Sequence, residues 1–158
     1  MNKLDNIKAI VLDLDGTLLT PELKILDNTR NILLHAKNKG IKIIIASGRT
    51  PQTAVRMTQE LDVSSPMVLA NGALIYNPTD KSILDYNPIS TDTIKYLLSL
   101  SKEINISLNI YTPYCIYMDE HKINDYIKDS GDDKKNLIKT HAIGPTGWNE
   151  ALKEILCK

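Results

Sequence analysis

A chain of 158 residues can bury a useful core and suits one domain or parts of two. Its 19 basic and 19 acidic side chains cancel without forming a basic stripe, so charge makes no case for nucleic acid, while a small phosphate-bearing ligand would need only a local site. The apolar runs are too short to cross a bilayer and Met1 to Asn6 carry no secretion signal, which predicts no membrane association and a cytoplasmic location. Cys115 and Cys157 read as reduced, incidental thiols, and His35, His121 and His141 lack metal-ligand spacing.

The first predicted element, Ala9 to Leu12, is a short apolar run with β-branched residues, the pattern of a strand buried on both faces. Asp13-Leu14-Asp15-Gly16-Thr17 follows at its carboxyl end, the rim where open parallel sheets hold ligands. Two carboxylates there repel each other and lose solvation, and a divalent cation is the simplest compensation. The competing reading is a polar turn with solvated acids. After Pro21, Asp27 is placed to cap a helix that carries Ile32, Leu33 and Ala36 on one face, with Gly40 as its stop signal. Lys42 to Ala46 then forms a second buried-type strand, parallel to the first across a right-handed crossover.

That second strand ends in Ser47-Gly48-Arg49-Thr50, with Pro51 opening another helix. A hydroxyl, a close-approach glycine and an arginine at a helix N-terminus suit phosphate oxygens. Alternatively, Ser47 or Thr50 caps the helix and Arg49 lies in solvent. After a helix over about Gln52 to Leu61, a third strand, Met67 to Ala70, ends in Asn71-Gly72-Ala73, where Asn71 suits a turn as well as a substrate-facing role. Leu74 to Tyr76 and Ile83 to Tyr86 read as a hairpin.

The three strand-end motifs, Asp13-Leu14-Asp15-Gly16-Thr17-Leu18-Leu19, Ala46-Ser47-Gly48-Arg49 and Asn71-Gly72-Ala73 before a hairpin, resemble the haloacid dehalogenase superfamily in order and spacing. More narrowly, they resemble its Cof-type phosphatases, which act on sugar phosphates and other small phosphate esters. The resemblance implies an α/β fold: a Rossmann-like parallel-sheet core, incomplete here, over residues 1–88, and part of an α/β cap over 89–158. It implies that Asp13 attacks phosphorus and becomes an aspartyl phosphate, while Asp15 serves as acid and then base. Mg2+ would sit on the Asp13 carboxylate and the Asp15 carbonyl. Thr17 and Ser47 would hold phosphate oxygens, with Leu14, Gly16, Gly48, Arg49 and Asn71 lining the phosphate or substrate site.

All seven tyrosines lie from Tyr76 onward and the only tryptophan is Trp148, a shift in composition that sets the second part of the chain apart. There Ile94, Leu97, Leu98 and Ile104 suit an amphipathic helix with caps among Ser90 to Asp92. Ser107 to Tyr111 and Cys115 to Met118 read as strands, and Trp148 to Leu156 as a last helix. Complete members of the resembled family add a lysine and a Gly-Asp motif after the cap. Gly131-Asp132-Asp133 lacks the preceding buried strand and Lys158 lacks a following helix, so neither is assigned those roles, and the resemblance implies truncation before the last two motifs. An apolar core strand left as an edge would invite self-association or a complementing chain. A non-catalytic phosphate-binding or interaction fragment is the alternative function. A phosphoacceptor receiver domain would need an aspartate where Asn71 stands.

Overall fold

In the computed structural model, residues 6–119, 122–130 and 137–140 are described. The chain divides into two compact units between Asn87 and Pro88. In the first unit, β1 (Ala9–Leu12) and β2 (Lys42–Ile45) pair in parallel, with Ile10 opposite Ile43 and Leu12 opposite Ile45. Those four side chains belong to the core face, packed with Leu14, Leu33, Met67 and Leu69. A parallel bridge from Ala46 to Val68 brings in β3 (Met67–Leu69), which continues as the antiparallel ribbon of β4 (Leu74–Tyr76) and β5 (Ile83–Tyr86). The hairpin read from the sequence is present.

Both faces of β1 are not covered, contrary to expectation. Val11, opposite Ile44 on the other face, is 62% exposed. Parallel sheets normally carry cover on both sides, and among the described residues only the Ile10 and Leu12 side has it.

Between β1 and β2 runs α1 (Asp27–Asn38). Its N-cap position is occupied by Leu26 without a side-chain bond, and Asp27 instead sits inside the first turn, paired with Arg30 at 2.9 Å. The buried face centres on Leu33 with Ala36 and Lys37, which leaves Ile32, one residue and about 100° away, exposed. The helix ends as expected at Gly40, whose φ of +81° lets its N–H reach the Lys37 carbonyl while Ile41 N–H reaches that of Ala36, a Schellman turn. Pro51 opens α2 (Pro51–Thr58), following Thr50 at the N-cap.

The second unit opens with α3 (Thr91–Glu103), which Ser90 caps by accepting the Thr93 N–H. On this helix Ile94 and Leu98 pack inward, whereas Leu97 and Ile104 are exposed. The strand β6 (Ile110–Tyr111) pairs antiparallel with β7 (Ile116–Asp119), and β8 (Leu137–Thr140), which the sequence reading did not anticipate, pairs parallel with β7. Tyr117 joins the Leu98 cluster, while Ile116 and Met118 pack with Ile123 of α4 (Ile123–Ser130). This is the period-two alternation of a strand covered on both sides. Gly131-Asp132-Asp133, Lys158 and the helix expected over residues 148–156 lie outside the described residues. No described helix is long and apolar enough to cross a membrane.

Candidate active site

Because β1 and β2 are parallel and in register, their carboxyl ends arrive at one rim. The chain turns sharply after β1. The Leu14 carbonyl accepts the N–H groups of Leu18 and Leu19 at 3.1 and 2.8 Å, and that of Thr17 at 3.4 Å, while Leu18 N–H also bonds the Asp13 carbonyl at 3.2 Å. Gly16 takes φ +72°, a left-handed conformation that glycine adopts without strain. The turn drives Leu14 wholly into the core, with no exposed surface, and leaves Asp13, Asp15, Gly16 and Thr17 outside. The Leu14 side chain thus belongs to the core, and it is the main chain of this residue that can face a ligand. The Thr17 hydroxyl stands 3.5 Å from Asp13 Oδ2.

From β2, Arg49 reaches across the rim and grips Asp15 with two hydrogen bonds, Nε to Oδ2 at 2.7 Å and a terminal guanidinium nitrogen to Oδ1 at 2.6 Å. The fork geometry of guanidinium matches a carboxylate in this way. The bonds from Arg49 hold the Asp15 carboxyl below the ordinary aspartate range, opposed by partial burial and assisted by the guanidinium charge. Sequence reasoning had set Arg49 toward substrate and missed this pair. The signal for it was available, since opposite charges follow the ends of two adjacent parallel strands.

The Ser47 side is equally tied down. Ser47 is nearly buried, and its hydroxyl oxygen accepts the Arg49 N–H at 3.3 Å while its own proton remains available to donate. Its N–H bonds the Val68 carbonyl at 2.9 Å, joining the second tip to β3. Asn71 lies on the adjoining turn, with its side chain against Gly48: a methyl group at Gly48 would stand 2.8 Å from Asn71 Oδ1. The structure thus brings Asp13, Asp15, Thr17, Ser47, Gly48, Arg49 and Asn71 into one linked set of turns. Thr50 at the α2 N-cap faces Thr53 Oγ1 at 3.2 Å and makes no side-chain cap.

The Asp13 carboxylate and the Asp15 main-chain carbonyl are hard oxygen donors of the kind Mg2+ accepts, and that ion commonly uses one or two carboxylates with water and phosphate oxygens. Among the described residues no cluster of three Asp, Glu, His or Cys side chains is present to enclose a metal. The donor set fits the ion in kind and leaves most of its coordination to water and ligand.

The family model of haloacid dehalogenase-like hydrolases matches residues 10–152. The chain belongs to that family. The chain is 31% identical over 139 residues to the 5-amino-6-(5-phospho-D-ribitylamino)uracil phosphatase YitU of Bacillus subtilis, covering 81% of this chain and 51% of that one. It is 31% identical over 99 residues to the pyridoxal phosphate phosphatase YbhA of Escherichia coli, covering 63% and 36%. A haloacid dehalogenase-like hydrolase structure from Bacteroides thetaiotaomicron superposes with a TM-score of 0.74 at 22% identity, over 96% of this chain and 63% of that one, which shows the shared fold. The match to each of the two phosphatases spans about half of that relative's length or less.

Proposed function

We propose that this chain carries the nucleophile half of a Mg2+-dependent phosphatase of the Cof type, acting on small phosphate monoesters of the sugar-phosphate kind. Residues 1–88 serve as the catalytic core segment and 89–158 as part of a cap that screens substrates. The observation that supports this most is the meeting of the two strand tips: Asp13, without an ion pair among the described residues, stands two residues from an acid that an arginine grips. The matched phosphatases act on a phosphoribityl compound and on pyridoxal phosphate, by their names, which fits a small-ester substrate class.

In this reading the Asp13 carboxylate oxygen attacks phosphorus, the bond to the ester oxygen breaks, and that oxygen takes a proton from Asp15. Water then attacks the aspartyl phosphate as Asp15 accepts its proton, releasing phosphate and restoring Asp13. Asp15 is held ionised by Arg49 before substrate arrives. A phosphate dianion competes for the guanidinium, and relaxing the pair lets Asp15 take up the proton it must deliver. Thr17 and Ser47 hydroxyls and the main-chain amides around Gly16 and Gly48 would hold the phosphate oxygens. Mg2+ on Asp13 and the Asp15 carbonyl would offset phosphoryl charge.

The test is hydrolysis of p-nitrophenyl phosphate with and without Mg2+. We expect a slow metal-dependent rate that Asp13→Asn lowers at least about a thousandfold, the scale of losing a nucleophile. Equal rates in wild type and Asp13→Asn would end the catalytic reading.

The second reading is a non-catalytic phosphate-binding module that needs another chain, through self-association or a complementing partner on the uncovered face of β1 or along its edge, where β2 is its one strand partner among the described residues. It draws support from the exposure of Val11 and from a metal site that gathers only two acids among the described residues. Binding of inorganic phosphate by both wild type and Asp13→Asn without turnover would favour it.

A further inference from the structure

Three successive residues of the turn after β3 lie in the left-handed region: Ala70 at φ +50°, Asn71 at +56° and Gly72 at +92°. Glycine does this freely and asparagine tolerates it, but an alanine there costs roughly 1–2 kcal/mol. Such a run persists only where its surroundings over-determine it. Here the surroundings are the Ser47-Gly48-Arg49 turn. Ala70 N–H bonds the Arg49 carbonyl at 3.2 Å, Asn71 N–H the Ser47 carbonyl at 3.4 Å, and Ala73 N–H closes back on Ala70 at 3.1 Å. The Asn71 amide then fills the space where Gly48 has no side chain, with Oδ1, Cγ and Nδ2 lying 2.8, 3.4 and 3.6 Å from where a methyl group would be.

The two main-chain bonds that leave this turn at Ala70 and Asn71 both go to the residues flanking Gly48. We propose that Asn71 is a positioning residue: seated on Gly48, it fixes the Ser47–Arg49 turn so that the Arg49 guanidinium meets Asp15 through both of its bonds, without itself touching the phosphate. The role of that geometry in turnover rests on the phosphatase reading above, whereas the geometry itself does not. Glycine at position 48 is then required by the neighbour's side chain rather than by its own backbone, since Gly48 does not take a positive φ.

The experiment follows the Arg49 Nε–H signal by NMR in the intact chain, assigned by its loss in Arg49→Lys, with no substrate present. Asn71→Gly keeps the left-handed backbone and deletes only the side chain. We expect its Arg49 Nε–H to exchange with water about tenfold faster, as the loosened turn opens locally more often, with circular dichroism unchanged. Asn71→Asp, which fills the same space, should retain most of the protection. Gly48→Ala should lose protection, and Gly48→Ala with Asn71→Gly should recover part of it, because the clash is gone. An unchanged Arg49 signal in Asn71→Gly overturns the proposal. So does a variant that keeps the signal but loses affinity for inorganic phosphate, which would make Asn71 a direct ligand. Failure of the phosphatase reading would show as absent turnover with the Arg49 response intact, and that outcome leaves the positioning role supported.

Discussion

The two units cover their sheets differently. The first has one continuous aliphatic core in which Leu14, Ile45 and Leu69 have no exposed surface at all, and each stands at or just before a functional tip: Leu14 between the two acids, Ile45 two residues ahead of Ser47, Leu69 two ahead of Asn71. The described part of the second has two small clusters on opposite sides of β7, one built on Leu98 and Tyr117 and one on Ile116, Met118 and Ile123. The contrast shows where rigidity is placed. Side chains that must be held to within a fraction of an ångström hang from fully packed residues, and packing limits their wandering more than any single hydrogen bond could.

The largest effect that would test this contrast is a core truncation in each unit. Leu69→Ala should cost about 2–5 kcal/mol in urea unfolding, as buried leucines do where the site cannot collapse. It should also loosen the Asn71 turn and the Arg49–Asp15 pair. Leu98→Ala, in a thin cluster where Tyr117 is the one other buried member among the described residues, should cost about 2 kcal/mol or less. Amide hydrogen exchange resolved by residue would assign each loss to its unit. Equal losses would erase the distinction between a packed site unit and a thinly packed companion.

A smaller effect separates the helices. Of α1, α2 and α3, α3 alone has a side-chain N-cap. Ser90→Ala should cost about 1 kcal/mol, read as lower protection of the first amides of α3. Asp27→Ala should leave α1 unchanged within the error of the same measurement, because Asp27 is outside the cap and its side chain is 84% exposed, so solvent screens its pair with Arg30. A loss at Asp27 as large as at Ser90 would mean that cap geometry is not what distinguishes them.

Much of the first unit was legible because its signals are local. Short β-branched runs, a glycine after a lysine-rich helix end and a proline at a helix start each carry their own mechanism, and together they placed β1, α1, β2 and α2 and put Asp13, Asp15 and Ser47 on one rim. What was not legible depends on partners distant in sequence. Asp27 looked like a cap because its neighbours fit the pattern, yet the helix begins one residue early. Val11 looked buried because its run is apolar, although apolar patterning reports a preference for cover and not the presence of it. The grip of Arg49 on Asp15 links residues 34 apart, and the fit of Asn71 to Gly48 is steric, with no compositional trace. In the second unit β8 was missed, because Leu137–Thr140 is only four residues long and has two apolar residues followed by two polar ones, with no alternation to mark a strand.

The smallest effect concerns charge, and it belongs to the first unit alone. Arg49 lowers the folded-state pKa of Asp15 relative to the unfolded chain, where an aspartate titrates near about 3.9. A group depressed on folding contributes stability that is fully present above the unfolded value and is lost as pH falls through the folded one. Arg49→Gln should therefore be less stable than wild type at pH 7, and the gap should close as the pH is taken below about 3.9. Because the Asp15 side chain is 51% exposed, solvent screening limits the gap to about 1 kcal/mol or less. Urea unfolding of both proteins across that range checks it, with exchange of first-unit amides as the local readout. A gap that stays constant down to pH 2 would mean that Arg49 stabilises through packing along its largely buried stem, since a contribution from the ion pair must vanish once the carboxylate is protonated.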